Sequence, residues 1–223
     1  MQADLAAQRL QWMRIAGLVA IAGAMVGMVG DYCLLYAPGG GYMDGDYGFL
    51  EGISMDRILW GHYLGILAIP FEAAGLYLIW LGLLPQGRKT AFAALFVGLY
   101  LMFLGVSYHG GIYPLADAVT VGNGKMELFR PFNEPLGLVF AASFFVSVLV
   151  LTIAILRGKT AFPKRIALAS PLLSYGIVTA MVPLWPAAGN FLAPMGFNLC
   201  MAIFYGVLAM TAKTWVGAVF PSE

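Results

Sequence analysis

Six long apolar stretches alternate with short polar segments along the 223 residues of the chain. The stretches cover approximately 12–36, 57–84, 90–113, 134–156, 165–185 and 190–215. Each is long enough to cross the hydrocarbon core of a bilayer, which takes about 20 predominantly apolar residues in a helix. The pattern therefore predicts an all-α, polytopic membrane protein with six transmembrane helices in a bundle. It also predicts that residues 1–223 form a single transmembrane domain.

The polar segments between the stretches are of two kinds. APGGGYMDGDYGFLEGISMDR (37–57) and PLADAVTVGNGKMELFRPFNEP (114–135) are long, and we expect both to be loops. LPQGRKT (84–90) and LRGKTAFPKR (156–165) are short basic turns, and WPAAGN (185–190) predicts a short hairpin. Pro114 is expected to end the third helix, because proline cannot donate the next helical hydrogen bond.

Lysine and arginine placement predicts the orientation, since cytoplasmic loops carry an excess of these residues. Nine of the twelve basic residues fall at alternate ends of the spans: Arg9, Arg14, Arg88, Lys89, Arg157, Lys159, Lys164, Arg165 and Lys213. The opposite ends carry acidic residues: Asp44, Asp46, Glu51, Asp56, Asp117 and Glu127. With six spans, both the N and C termini are predicted to be cytoplasmic.

Composition excludes a soluble domain and a nucleic-acid partner. The chain is 61% hydrophobic and 10% charged, whereas about 25% of residues are charged in a soluble domain. The formal net charge is +1 and the basic runs are short, which does not suit a phosphate backbone. The expected surroundings are a lipid bilayer.

Polar side chains inside the apolar stretches fall in one layer. Counting about 1.5 Å per residue from the basic turns places His62 and His109 at one height, in the outer third of the membrane. Asp31 and Glu134 fall in the same layer, whereas Glu72 lies near the midplane. Asn133, Asn190, Tyr108 and Tyr113 also belong to this layer, and Asn198 lies deeper. A charge near the bilayer centre costs at least about 2.5–3.5 kcal/mol, so we expect these groups to converge on one outward-opening cavity.

Glu72 is the polar residue for which a purely structural role is hardest to find. It has no water interface and no basic residue at its height, so its carboxyl group is expected to be protonated. Pro70 removes a helical hydrogen bond two residues earlier, and Gly61, Gly65 and Gly75 allow neighbouring helices to approach closely.

Structural roles remain open for the other members of the layer. Either histidine could simply bond a neighbouring helix. Asp31 could cap the first helix near water, and Glu134 could be a first-turn acid that favours the helix dipole.

Three segments carry a resemblance to a known family. VGDYCLLY, SMDRILWGHYLGILAIPFEAAGLYLIW and GVSYHGGIYP resemble a family of bacterial integral-membrane proteins known only as a domain of unknown function. The marks are the Gly-Asp ending the first span, the Arg-x-x-x-Gly-x-x-x-Gly opening of the second and the Tyr-His-Gly of the third. The resemblance covers nearly the whole chain and implies no activity; it implies a multi-pass protein of the cell inner membrane.

IPFE is more loosely similar to the Pro-x-Glu element of membrane-integral carotenoid cyclases, in which a buried acid protonates a polyene. Those proteins usually carry a second acid directly after the glutamate, where this chain has Ala73. Small membrane terpene cyclases also use a few buried acids, but no longer motif is shared with them.

The layer predicts an enzyme that acts on a lipophilic small molecule by isomerisation, cyclisation or epoxide opening. Glu72 would donate a proton in a dry pocket, and His62, His109 or Asp31 would accept one or hold water. The candidate substrate contacts are Glu134, Asn133, Tyr108, Tyr63, Trp60 and Asn198.

Two other function classes remain open. One is a ligand-binding or sensory membrane protein with the 37–57 loop as its extracellular face, and the other is a small proton-coupled carrier. A carrier needs a polar path on both sides of the midplane, whereas AFAALFVGL and VSVLVLTIAIL in the cytoplasmic halves are almost purely apolar. This asymmetry favours a one-sided pocket.

No cofactor is predicted, because no flavin or nucleotide motif is present. A divalent metal is the alternative, since His62, His109, Asp31 and Glu134 supply two nitrogens and two carboxylates, a set that suits zinc or iron. No two of the four show ligand spacing within one helix. The expected partners are the bilayer and the lipophilic small molecule, and a homo-oligomer is possible.

Overall fold

The computed structural model describes residues 2–42, 47–120 and 126–219, and this part of the chain contains seven α-helices and no strand. The helices are α1 (Gln2–Leu35), α2 (Met55–Leu83), α3 (Arg88–Thr120), α4 (Met126–Leu156), α5 (Pro171–Leu184), α6 (Pro186–Leu192) and α7 (Gly196–Val219). Short 3₁₀ turns lie at Tyr47–Gly52, Leu84–Gln86, Lys164–Ala169 and Ala193–Met195. The all-α prediction is confirmed.

Six helical stretches among the described residues are long and apolar enough to cross a membrane, which confirms the six-span prediction. They are Ala7–Leu35, Met55–Gln86, Arg88–Thr120, Leu128–Leu156, Lys164–Leu184 and Pro186–Gly217. We call the end of the bundle that carries the turns at 84–90 and 157–165 the basic end. The opposite end, which carries segments 36–42 and 47–54, is the loop end.

The third and fourth spans are longer than predicted, and Pro114 does not end a helix. α3 continues through Pro114 to Thr120, and α4 starts at Met126 with Pro131 and Pro135 inside it. A proline removes one helical hydrogen bond, but membrane helices tolerate this because neighbouring groups and small local adjustments satisfy the freed carbonyl. Most of the segment predicted as a loop is therefore helical.

The predicted hairpin at 185–190 is instead a break followed by the short helix α6. Trp185 leaves helical geometry with φ −146° and ψ 77°, and Pro186 starts the new helix, a position where its missing N–H costs nothing. A Cβ at Gly189 would lie 2.5 Å from the backbone nitrogen of Val182. α6 can fold back so closely against α5 because residue 189 has no side chain.

The described part of the 37–57 loop packs onto the bundle. Leu50 in the 3₁₀ turn is fully buried, and it joins an apolar cluster with Leu34 and Ile112. The loop therefore covers the loop end of the helices. Three of the acidic groups expected at the ends opposite the basic residues lie outside the described residues: Asp44, Asp46 and the side chain of Glu127.

Glycines set the crossing of α1 over α2, the most extensive helix contact among the described residues. A Cβ at Gly30 would lie 2.7 Å from the backbone nitrogen of Gly65, and a Cβ at Gly61 would lie 2.7 Å from the carbonyl oxygen of Gly30. Such distances are too short for any side chain, so the two backbones touch directly. α7 packs on α1, α3 on α2 and α4 on α3.

Arg57 fixes the loop end of α1. Its Nη2 donates to the carbonyl oxygen of Tyr32 at 2.5 Å and also to that of Tyr36. Its guanidinium lies over both tyrosine rings, 5.1 and 5.7 Å from their centroids. The last carbonyls of a helix have no partner within the helix, and Arg57 provides one from α2.

Candidate active site

A cavity of about 90 Å³ lies inside the bundle, toward the loop end. Its polar lining consists of Asp31, Tyr42, Glu72, Tyr108, His109 and Asn198. Its apolar lining includes Leu35, Ile69, Leu101, Met102, Phe140 and Phe197. The walls come from α1, α2, α3, α4 and α7, so five helices must assemble before the cavity exists. No lysine or arginine is among its lining residues.

Asp31 stands at the centre of the polar contacts. Only 5% of it is exposed, and its Oδ2 accepts a hydrogen bond of 2.8 Å from Nδ2 of Asn198. Its Oδ1 lies 3.5 Å from Nε2 of His109, slightly beyond a normal hydrogen bond. The interpretation of Asp31 as a cap near water is therefore wrong, since its carboxyl group is buried and bonded to α7.

His109 is seated in a notch of α2. A Cβ at Gly65 would overlap the imidazole ring, so the ring occupies the space that a side chain at Gly65 would take. Nδ1 is buried and has no hydrogen-bond partner among the described residues. Nε2 is the nitrogen that faces Asp31. The notch thus fixes which ring nitrogen the carboxyl group meets.

Glu72 borders the same cavity from α2 and is only 2% exposed. A Cβ at Gly27 would lie 2.6 Å from Nδ2 of Asn198 and 3.0 Å from Oε1 of Glu72. Gly27 therefore leaves room for both side chains at one point of α1. Within the described residues, the Glu72 carboxyl group makes no hydrogen bond, in contrast to Asp31.

His62 does not line the cavity. Its Nδ1 lies 3.0 Å from the backbone oxygen of His109, and its ring packs against Tyr63 and Tyr113. The geometry matches the structural alternative, in which a membrane histidine bonds a neighbouring helix. His62 therefore contacts the backbone that carries His109 and is separated from the cavity itself.

The prediction that Glu134 joins this cavity is wrong. α4 begins at Met126, so Glu134 lies in the third turn and is not a first-turn acid. Its side chain is 46% exposed and forms an ion pair with Arg130 one turn earlier. The four proposed metal ligands do not come together, and within the described ranges no three His, Cys, Asp or Glu side chains form a group that could hold a metal ion.

Three predicted substrate contacts also lie elsewhere. Trp60 is 65% exposed and Tyr63 52% exposed, as expected for aromatic residues at a membrane interface. Asn133 is buried, but its Nδ2 donates to the hydroxyl of Tyr47 at 3.2 Å and its Oδ1 packs on Gly111. Asn133 therefore ties α4 to the loop and to α3.

Tyr42 borders the cavity at the loop end, and the sequence analysis missed it. It also lines a smaller recess of about 10 Å³ beside Gly40 and Asn190. Gly40 and Gly41 have φ values of +78° and +101°, which glycine adopts without strain, and this bend precedes the turn of Tyr42 into the protein. Burial raises the pKa of Tyr42 well above its usual range. A run of glycines directly before an aromatic residue was the available signal.

A family model matches residues 8–214, and its description is "Family of unknown function (DUF6796)". No curated protein and no solved structure matches the chain. The resemblance to a membrane family of unknown function is thereby confirmed, because six of the helices are apolar enough to cross a membrane. Since the match spans nearly the whole chain, the protein belongs to the DUF6796 family of unknown function.

Proposed function

We propose that this protein is a membrane-integral enzyme that transfers protons on a lipophilic small molecule, in an isomerisation, a cyclisation or an epoxide opening. One observation carries the proposal. Two carboxyl groups share a buried, largely apolar cavity, and only one of them receives a hydrogen bond. Pairs of acids in unequal surroundings divide into a proton donor and a proton acceptor.

Glu72 is the donor in this proposal. It is buried, it has no hydrogen-bond partner among the described residues, and no cationic side chain lines its cavity. Water-poor surroundings disfavour a bare carboxylate, so the proton remains on Glu72 until a substrate takes it.

Asp31 and His109 form the accepting side. The amide of Asn198 stabilises a negative charge on Asp31, and Nε2 of His109 faces the same carboxyl group at 3.5 Å. A proton leaving the substrate is accepted by this pair. The Cβ position of Gly27 lies 2.6 Å from Nδ2 of Asn198 and 3.0 Å from Oε1 of Glu72, so both carboxyl groups approach the same amide. Two like charges so close are disfavoured, and the arrangement therefore favours one negative charge over two.

The remaining lining suits a lipophilic substrate. Phe140 and Phe197 have ring centroids 5.0 Å apart and form an apolar wall. Toward the basic end the buried side chains include Leu78, Leu81 and Phe204, and among the described residues no Asp, Glu or His side chain is buried there. This distribution supports a one-sided pocket, and therefore an enzyme, over a carrier.

The proposed location is the cell inner membrane, with the basic end and both termini in the cytoplasm. The cavity then lies in the outer half of the bilayer, where a lipophilic compound partitions. The reaction needs no cofactor, because each proton-transfer step is served by a side chain of the chain itself.

Isotope incorporation tests the proposal without a known substrate. Protein in lipid nanodiscs is incubated in D₂O with a lipid extract of its native membrane, and the lipids are analysed by mass spectrometry. Proton transfer to carbon leaves deuterium at a position that does not exchange, and parallel incubation in H₂¹⁸O detects epoxide opening. Glu72→Gln is expected to lower incorporation about 10²–10⁴-fold, the usual contribution of a general acid.

Glu51→Gln is the matched control, since Glu51 is exposed in the loop and should retain full incorporation. If the wild-type protein incorporates no more label than protein-free nanodiscs into any lipid, the enzyme proposal fails. Full incorporation by Glu72→Gln would remove Glu72 from the mechanism and leave Asp31 and His109 as the candidates.

A further inference from the structure

Tyr205 is a fully buried tyrosine whose hydroxyl has no hydrogen-bond partner among the described residues. Its ring lies against α2 at Gly75, where a Cβ would overlap it. A buried polar group without a partner destabilises the folded protein, and such groups are uncommon in native proteins. Phenylalanine would fill the same space without that cost, so the hydroxyl calls for an explanation in another state of the protein.

Tyr205 contacts α2 close to Glu72. Gly75, which the ring covers, is one helical turn from Glu72 on the same buried face of α2. Helical side chains tilt toward the N-terminus of their helix, and the N-terminus of α7 is at the loop end. The Tyr205 ring therefore extends toward the loop end, which is also the direction from Gly75 to Glu72 along α2.

Two of the donors that line the cavity face Asp31 and not Glu72. The amide of Asn198 donates to Asp31, and Nε2 of His109 faces Asp31 as well. The ring of Tyr108 packs against Gly137 of α4. If Glu72 loses its proton to a substrate, the new carboxylate needs a donor that the resting arrangement does not provide.

We propose that Tyr205 is a positioning residue for Glu72: its hydroxyl donates a hydrogen bond to the Glu72 carboxylate once the proton has left. This inference rests on the proposed function. During the step the O–H bond of Glu72 breaks and its proton forms a C–H or O–H bond on the substrate. The electron pair stays on the carboxylate, which accepts the Tyr205 hydrogen bond until the proton returns. Tyr205 itself is neither protonated nor deprotonated.

Infrared spectroscopy of Glu72 tests this directly. The bands of the ionised carboxyl group are recorded in nanodiscs at alkaline pH and assigned by their loss in Glu72→Gln. Tyr205→Phe keeps the ring against Gly75 and removes only the donor. The expected result is a shift of the Glu72 carboxylate stretching band, with an unfolding temperature equal to or above that of the wild type.

Tyr77→Phe provides the matched control, because Tyr77 is on the same helix as Glu72, faces outward at 40% exposure and stacks on Trp80. It should leave the band unchanged. Deuterium incorporation should fall about 10–100-fold in Tyr205→Phe, in line with the loss of a hydrogen bond to a charged group. An unaltered carboxylate band in Tyr205→Phe overturns the inference. Absence of incorporation by the wild type would instead remove the enzyme proposal, and the infrared result would still stand.

Discussion

Gly65→Ala is expected to push His109 out of its notch, and its cost can be worked from the structure. A Cβ at position 65 would overlap the imidazole ring, and overpacking of this kind costs about 1–3 kcal/mol. Alanine favours the helix by about 1 kcal/mol over glycine, so the net loss of stability is about 0–2 kcal/mol. Reversible unfolding in mixed detergent and SDS micelles measures it.

Gly176→Ala is the matched control, since a Cβ at Gly176 on α5 has no atom within 4 Å. Alanine at position 176 favours the helix without causing a clash, so the free energies of unfolding of the two variants should differ by about 1–3 kcal/mol. A double-mutant cycle with His109→Ala separates the clash from other effects. In the His109→Ala background, the Gly65→Ala variant should no longer be less stable than the Gly176→Ala variant. Equal stabilities for Gly65→Ala and Gly176→Ala in the wild-type background would refute the seating of His109 in this notch.

Asn198→Ala removes the amide that donates to Asp31 and should lower the free energy of unfolding by about 1–3 kcal/mol. The measurement is a lower unfolding temperature, and an unchanged temperature would contradict a stabilising hydrogen bond between Asn198 and Asp31. Arg57→Lys keeps the charge but loses the guanidinium nitrogen Nη2 that donates to the carbonyl oxygens of Tyr32 and Tyr36, since an ammonium group does not reproduce the planar guanidinium geometry. Amide hydrogen exchange should therefore accelerate in the last turn of α1, and unchanged rates would show that the cap is dispensable. For the orientation, a membrane-impermeant maleimide applied from outside should label Glu51→Cys and not Lys159→Cys in a cysteine-free background. The reverse pattern would invert the proposed topology.

The depth of each polar residue could be predicted from the sequence, whereas the rotation of each helix could not. Counting from the basic turns placed Asp31 and His109 at one level, and they lie 3.5 Å apart. The same counting placed Glu134 at that level, yet its side chain points away from the cavity and pairs with Arg130. A regular rise fixes depth, but the facing direction depends on partner helices that a single sequence does not identify.

Proline signals were misleading because their meaning depends on the solvent. In water, a proline such as Pro114 exposes an unsatisfied carbonyl and usually ends a helix. In an apolar environment the chain has no better alternative than to remain helical, and α3 continues to Thr120. Gly61 and Gly65 were correctly predicted to be sites of close helix approach. The side chain that fills the notch at Gly65 could not be predicted, because this requires the position of α3.

The glycine crossing of α1 and α2 also has a consequence for biogenesis. The two helices are consecutive, so they can pair as a hairpin as soon as the second one leaves the translocon. That hairpin brings the carboxyl groups of Asp31 and Glu72 into the lipid while Asn198, the amide donor to Asp31, belongs to the last helix and has not yet been synthesised. A chain that stalls before α7 therefore holds Asp31 in the bilayer without the amide that its carboxyl group accepts from in the finished molecule.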